Sequence, residues 1–86
     1  MYSIDYAQKW DSYFEKLSPE TQKRIWKKIM QVKAGLPARH LRFGADFFVE
    51  EAGQYRICYK SFEDRKVRIL YFVGDHKEYE RWARMR

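Results

Sequence analysis

Apolar positions change period several times along this 86-residue chain, and each change marks the edge of an element. Tyr2, Ile4 and Tyr6 alternate with Ser3 and Asp5, the two-residue period of a short half-buried strand. From Ala7 the spacing widens. Trp10, Phe14 and Leu17 recur every three or four residues, with Lys9, Asp11 and Glu15 between them, which predicts an amphipathic helix. Ser18-Pro19-Glu20 ends it and opens a second: Ser18 can cap, Pro19 suits the first helical position, and Glu20 sets negative charge in the positive first turn. Ile25, Ile29, Val32 and Leu36 then share one face until Gly35 and Pro37 stop the helix, while Lys23, Arg24, Lys27, Lys28 and Gln31 occupy the opposite arc. Two antiparallel helices joined by a tight corner are expected.

From Asp46 the period returns to two. Phe47-Phe48-Val49 leads to a turn around Ala52-Gly53, and Tyr55, Ile57 and Tyr59 alternate with Arg56, Cys58 and Lys60. After a turn from Ser61 to Lys66, Val67, Ile69, Tyr71 and Val73 alternate with Arg68, Leu70 and Phe72. A strand apolar on both faces is expected to be central or covered. Gly74-Asp75 breaks it, and the segment from His76 to Arg86, with Tyr79 and Trp82 three apart, reads as a short helix or an ordered tail. The chain is therefore expected to be α+β, in the order β-α-α-β-β-β with a C-terminal extension. Residues 1–86 have room for one domain and no second core.

Composition narrows the function classes. Apolar residues make up 45% of the chain and aromatics 19%, which excludes a disordered tail and supplies the large side chains a small core needs. One cysteine rules out an intramolecular disulfide framework and a cysteine-built zinc site, so a reducing cytoplasm is the expected home. No apolar run approaches the roughly 20 residues that span a bilayer, and no signal peptide is visible, so no membrane partner is expected. The formal charge of +6 has one source: residues 20 to 42 carry seven basic groups and one acid, and the rest carries eleven of each. Lys23 with Lys27 and Arg24 with Lys28 are like-charged pairs at i,i+4, each costing the helix about 0.2–0.5 kcal/mol. Nucleic acid or an acidic protein would offset that cost, and the plainer alternative is a solvated face that keeps the protein soluble.

Chemistry is narrowed by what the sequence lacks. There is no Gly-rich phosphate loop, no His-x-x-x-His pair and no Gly-x-Ser-x-Gly elbow, and His40 and His76 each lack a neighbouring second ligand, so no metal or cofactor is expected. Arg56, Lys60, Arg68, His76, Lys77, Tyr79 and Arg81 lie on two strands predicted to pair and on the segment after them. Metal-free RNA cleavage needs a group that activates the 2′-hydroxyl, cations for the charge gathering on phosphorus, and a proton donor for the leaving oxygen. These residue types can supply all three. Equally, Arg56 and Arg68 can pair with Asp46, Glu50 or Glu51 at a sheet rim, with Tyr79 in the core.

Gly53-Gln54-Tyr55-Arg56-Ile57-Cys58-Tyr59, a turn, and Val67-Arg68-Ile69-Leu70-Tyr71-Phe72-Val73-Gly74-Asp75-His76-Lys77-Glu78-Tyr79 together resemble the C-terminal half of the RelE/ParE toxin superfamily, and look closest to its HigB-like members. The resemblance implies two helices packed on one face of a small sheet whose other face forms a basic concavity. It implies a type II toxin that cleaves mRNA in the ribosomal A site without a metal and inhibits translation. It also implies a cognate, usually acidic antitoxin that wraps the toxin and represses their shared operon. Arg56 matches the family's phosphate-binding arginine, His76 or Lys77 falls where it carries a basic catalytic residue, and Tyr79 resembles its nearby tyrosine. Lys60, Arg68, Arg81, Lys23, Lys27 and Lys28 are the expected RNA-binding cations. One departure stands out. RelE-like nucleases often carry Lys or Arg on the strand before the turn, whereas this chain has Phe47-Phe48-Val49-Glu50-Glu51. Glu50 or Glu51 could serve as a base, or the acidic pair could repel RNA and point to the ParE-like branch, which poisons DNA gyrase, or to a catalytically inactive member that only binds RNA or its antitoxin.

Overall fold

The computed structural model describes residues 1–35 and 47–85, so Leu36, Pro37, Arg39, His40, Arg42 and Asp46 lie outside the described residues. The described residues form β1 (Ser3–Tyr6), α1 (Trp10–Phe14), α2 (Pro19–Lys33), β2 (Phe48–Ala52), β3 (Tyr55–Phe62), β4 (Val67–Asp75) and α3 (His76–Arg84). The strands make one sheet in the order β1-β4-β3-β2, with β1 parallel to β4 and the other neighbours antiparallel. The α+β architecture is the expected one, with β4 central and the C-terminal extension a helix. No helix of the described residues is long and apolar enough to cross a membrane.

Local chemistry sets the helix limits. Ser18 accepts the Thr21 N–H at 3.2 Å, Pro19 sits in the first turn, and Ile25, Ile29 and Val32 are fully buried along one stripe. α1 is shorter than the apolar spacing predicts, because five residues are too few to hold a helix by themselves and the packing of Trp10 carries it. The α1–α2 corner is closed by a side chain instead. Gln22 donates from Nε2 to the carbonyls of Phe14 at 3.1 Å and Leu17 at 3.2 Å, which leaves Leu17 free to pack on the core.

Both faces of the sheet are covered, each by its own cluster. Ile57 and Cys58 are neighbours on β3 and so point to opposite sides. Ile57 joins Ile25, Ile29, Val32, Tyr59, Leu70 and Val73 beneath α2, while Cys58 joins Phe47, Phe72 and Tyr79 beneath α3. The lone thiol is thus a core group. Strict alternation along β4, expected from the sequence, fails at one point. Cys58 pairs with Phe72 but Tyr59 pairs with Leu70, so Tyr71 is an extra residue and Tyr71 and Phe72 both serve the α3 side.

Arg68 corrects an expectation. Proposed from sequence as an RNA-binding cation, it is only 3% exposed and lies on the α2 face. Nη1 donates to the Val32 carbonyl at 3.0 Å and Nε to the Ser61 hydroxyl at 3.0 Å, while its guanidinium carbon lies 3.9 Å from the Tyr2 ring centroid. Glu63 completes the arrangement, 3.9 Å from Nη2 and accepting from the Tyr2 and Ser61 hydroxyls. A buried charge is tolerable only when its donors are matched in this way, and the match ties the end of α2 to β1, β3 and β4. Burial also pushes the adjacent Tyr59 phenol up to about 12, so it stays neutral.

Arg68→Ala is expected to destabilise the fold by about 2–4 kcal/mol in urea unfolding, and Arg68→Lys to recover only part, because an ammonium cannot reach three partners in one plane. The Ser61 and Tyr2 hydroxyls hold the Glu63 carboxyl below its usual range. A lowered carboxylate pKa adds stability that is present above the unfolded value and lost as pH falls through the folded one. The difference in melting temperature between wild type and Glu63→Gln should therefore shrink as the buffer is taken from neutral to strongly acidic.

Candidate active site

The β2–β3 hairpin and the β4–α3 junction meet at one end of the α3 side of the sheet. Ala52 pairs with Tyr55, leaving a two-residue turn, and Gly53 opens it at φ +64°, a conformation in which side chains other than glycine are strained. The register then sets Glu51 opposite Arg56 and Arg56 opposite Gly74, one row across three strands. On β4 there is no connecting loop. Asp75 caps α3 by accepting the Glu78 N–H at 2.8 Å, and its own N–H donates to Glu78 Oε1 at 2.9 Å. Gly74 makes this possible, since a Cβ there would stand 2.6 Å from Phe72 Cζ and 2.9 Å from Glu78 Oε1. The strand runs straight into the helix, and His76 and Lys77 emerge beside the Arg56 row.

Glu51, Gly53, Gln54, Arg56, Asp75, His76 and Lys77 line an open depression of about 500 Å³. Arg56 is held from two sides: Nη2 is 3.3 Å from Glu51 Oε2, and the guanidinium carbon is 4.7 Å from the Tyr79 ring centroid. With its side chain 24% exposed, it presents a fixed edge to solvent. His76 Nε2 lies 3.3 Å from Glu80 Oε2, and Glu80 also faces Arg84 at 3.9 Å, so a carboxylate one helical turn along orients the imidazole. A fixed cation, an imidazole and an ammonium around one concavity are suited to binding a phosphate and delivering a proton to it.

The structure divides the sequence candidates. Arg56, His76 and Lys77 come together. Tyr79 departs from expectation: at 1% exposure it is a core residue whose ring supports Arg56 from beneath, because the α3 positions that face the sheet are the ones that pack. Lys60 shares the Arg56 face but lies four residues up β3, over the Phe47 and Tyr71 rings at 5.0 and 5.6 Å. Arg81 does not line the depression but a separate groove with Tyr13, Lys16, Phe72, Trp82 and Met85, and a further one with Lys77, Glu80 and Arg84. Lys23 and Lys27 are exposed and Lys28 is half-buried on α2, across the sheet from the depression. Of the two acids on β2, Glu50 is 5% exposed and shares the α2 face with Phe48 and Ala52, and only Glu51 reaches Arg56.

Sequence reasoning missed Arg24 as a neighbour of the site. Its Nη1 comes within 3.1 Å of where a Gly53 Cβ would be, bringing charge from the basic helix to the hairpin rim, and its only sequence signal was membership of that basic stretch. Among the described residues no three His, Cys, Asp or Glu side chains gather where they could hold a metal ion.

Neither the protein-family models nor the curated proteins compared with the sequence give a match. Solved structures do. A chain of the intact Escherichia coli RelBE toxin–antitoxin complex superposes with a TM-score of 0.75 at 20% identity, over 87% of this chain and 96% of the other. The isolated E. coli RelE toxin gives 0.74 at 19% identity over 100% of both chains. A metal-bound toxin from Helicobacter pylori gives 0.76 at 19% identity, over 91% of this chain and 98% of its own. Element order, sheet and C-terminal helix therefore assign to this chain the RelE toxin fold that its sequence resembled.

Proposed function

We propose that the protein is the toxin of a type II toxin–antitoxin pair, a metal-independent endoribonuclease that cleaves mRNA on the ribosome in the cytoplasm. The observation that supports this best is the convergence of Arg56, His76 and Lys77 on one open depression from two strands and a helix start. Arg56 grips the non-bridging oxygens of the scissile phosphate and strengthens its hold as charge grows there, which a planar donor fixed by Tyr79 and a strand does without reorganising. His76 protonates the leaving 5′-oxygen, and Lys77 adds positive potential beside it.

The basic face of α2 is the proposed docking surface for ribosomal RNA. Five of the fifteen residues from Pro19 to Lys33 are Lys or Arg and one is Glu, a density that a polyanion rewards by releasing its counterions. The proposed partner is an acidic antitoxin, and the superposed E. coli structure is itself a toxin–antitoxin complex.

Expression of the chain alone should arrest growth and create new mRNA 5′ ends in a translating lysate, whereas loss of DNA supercoiling with intact mRNA would assign it to gyrase instead. Arg56→Ala is expected to keep the wild-type circular dichroism and melting temperature to within a few degrees while cutting cleavage about 10²–10³-fold. A well-folded Arg56→Ala that still cleaves would remove Arg56 from the site. Reversing Lys23, Lys27 and Lys28 to Glu should weaken ribosome binding and flatten its salt dependence, by about 0.9 in log–log slope for each duplex phosphate that is no longer neutralised. An unchanged slope would leave α2 a solubility role only.

A further inference from the structure

We infer that Trp26 is a stacking platform for an unpaired base of ribosomal RNA, with Lys23 and Lys27 holding the phosphates on either side of that base. The inference rests on the reading of α2 as the ribosome-docking surface and adds what charge alone does not supply, a contact to a base.

The chain has three tryptophans, and two of them are spent on the fold. Trp10 is 3% exposed in the cluster that α2 covers, while Trp82 stacks on Phe72 at 4.9 Å and meets Phe47 in a T-shaped contact at 5.2 Å. Trp26 stands apart. It lies in the middle of α2 with 44% of its surface open to solvent, and Met30, one turn further on, is 50% exposed. At 3.6 residues per turn, Lys23, Trp26, Lys27 and Met30 fall within about 100° of the helix circumference, on an arc turned away from the Ile25, Ile29 and Val32 stripe.

The indole is held from behind and open in front. Its ring meets Phe14 at 5.8 Å and 74°, and Phe14 in turn stacks on buried Trp10 at 5.9 Å and 20°, so the platform is anchored in the core through two rings. Among the described residues no cation of the protein lies over the Trp26 ring, and neither Lys23 nor Lys27 is in an ion pair. The two ammonium groups are exposed and uncommitted.

These features select the occupant. A fixed aromatic face between free cations is how single-stranded nucleic acid is bound, because every base has a π-face to stack and every linkage a charge to neutralise. Lys23 and Lys27 are one turn apart, about 6 Å along the axis, and flank the ring, so each can meet a phosphate on one side of a single stacked base. Met30 extends the apolar surface with a polarizable, adaptable side chain. A packed protein partner would need a broader apolar area than one ring and one thioether on a convex helix. The RNA belongs to the ribosome and not to the message being cut, since α2 lies across the sheet from the depression.

The test measures binding of the full chain to vacant ribosomes. Trp26→Leu keeps an apolar contact for Phe14, so its circular dichroism and melting should stay near wild type, and Trp26→Gln, a good helix former, gives the same test without an exposed leucine. Both should bind about 5–100-fold more weakly, while Trp26→Phe, which keeps a π-face, should recover much of the loss. None should change the slope of affinity against salt, because stacking releases no counterions, in contrast to reversal of Lys23 and Lys27. Probing by 2′-hydroxyl acylation should show one unpaired nucleotide of ribosomal RNA losing reactivity with wild type and with Trp26→Phe, but not with saturating Trp26→Leu. Wild-type affinity in a folded Trp26→Leu would overturn the inference and leave the docking role of the α2 cations standing. An equal loss in Trp26→Phe and Trp26→Leu would mean shape and not stacking, and weaker binding with no nucleotide altered by wild type would assign Trp26 to a ribosomal protein; either overturns it. Absence of ribosome binding by wild type would overturn both readings of α2.

Discussion

The candidate site depends on a slip of one residue in the pairing of β3 with β4. At Tyr59 the strands are in one register and at Cys58 in another, with Tyr71 inserted between, and from that point the faces of β4 are exchanged. Leu70 and Val73 can then both lie under α2, three residues apart, while Tyr71 and Phe72 in succession build the second cluster. The slip also brings Gly74 onto the Arg56 side, where the absence of a side chain leaves room for the first turn of α3. A regular strand would send Gly74 to the other face and put a side chain where that turn now packs.

Two arginines on neighbouring strands show how burial sorts identical chemistry. Arg68 spends its donors on a helix-end carbonyl and a hydroxyl, with a carboxylate and two rings around it, and is almost wholly enclosed. Arg56 has one carboxylate at an exposed edge and one ring beneath it, so part of its donor fork still faces water. The first arrangement stabilises a corner of the fold at the cost of availability, whereas the second holds a guanidinium in place and leaves it open to an anion. Tyr79 belongs to the same logic. Its ring is worth more as a buried platform, with the second cluster packed around it, than as an exposed phenol.

Charge is likewise divided between the faces. The basic helix lies over one side of the sheet and the depression opens on the other, with Arg24 reaching the hairpin at their common margin. Within the depression acids and bases alternate in space, Glu51 beside Arg56 and Asp75 before His76, so the basic concavity that the family resemblance implied carries two carboxylates here. Such a mixture suits proton transfer around a bound phosphate better than bulk attraction of a polyanion, a task the surface of α2 can take over.

Much of the fold was determined by the sequence alone, because the deciding interactions are local and periodic. The Ser18-Pro19 start, the Ile25, Ile29 and Val32 stripe, the turn at Gly53 and the central place of a doubly apolar β4 all follow from caps, backbone freedom and periods of 3.6 and 2. Tertiary structure decided which cations meet. Lys60, Arg68 and Arg81 looked like companions of Arg56 by strand parity and proximity in the chain, yet one stands farther along β3, one turned inward and one faces another groove. Parity assigns a side chain to a face only until a bulge resets it, and it does not say which end of a face an element reaches or which polar group a neighbouring helix end will satisfy. Those outcomes depend on register and on the matching of buried donors between residues as far apart as Val32 and Arg68, and local spacing carries no record of either.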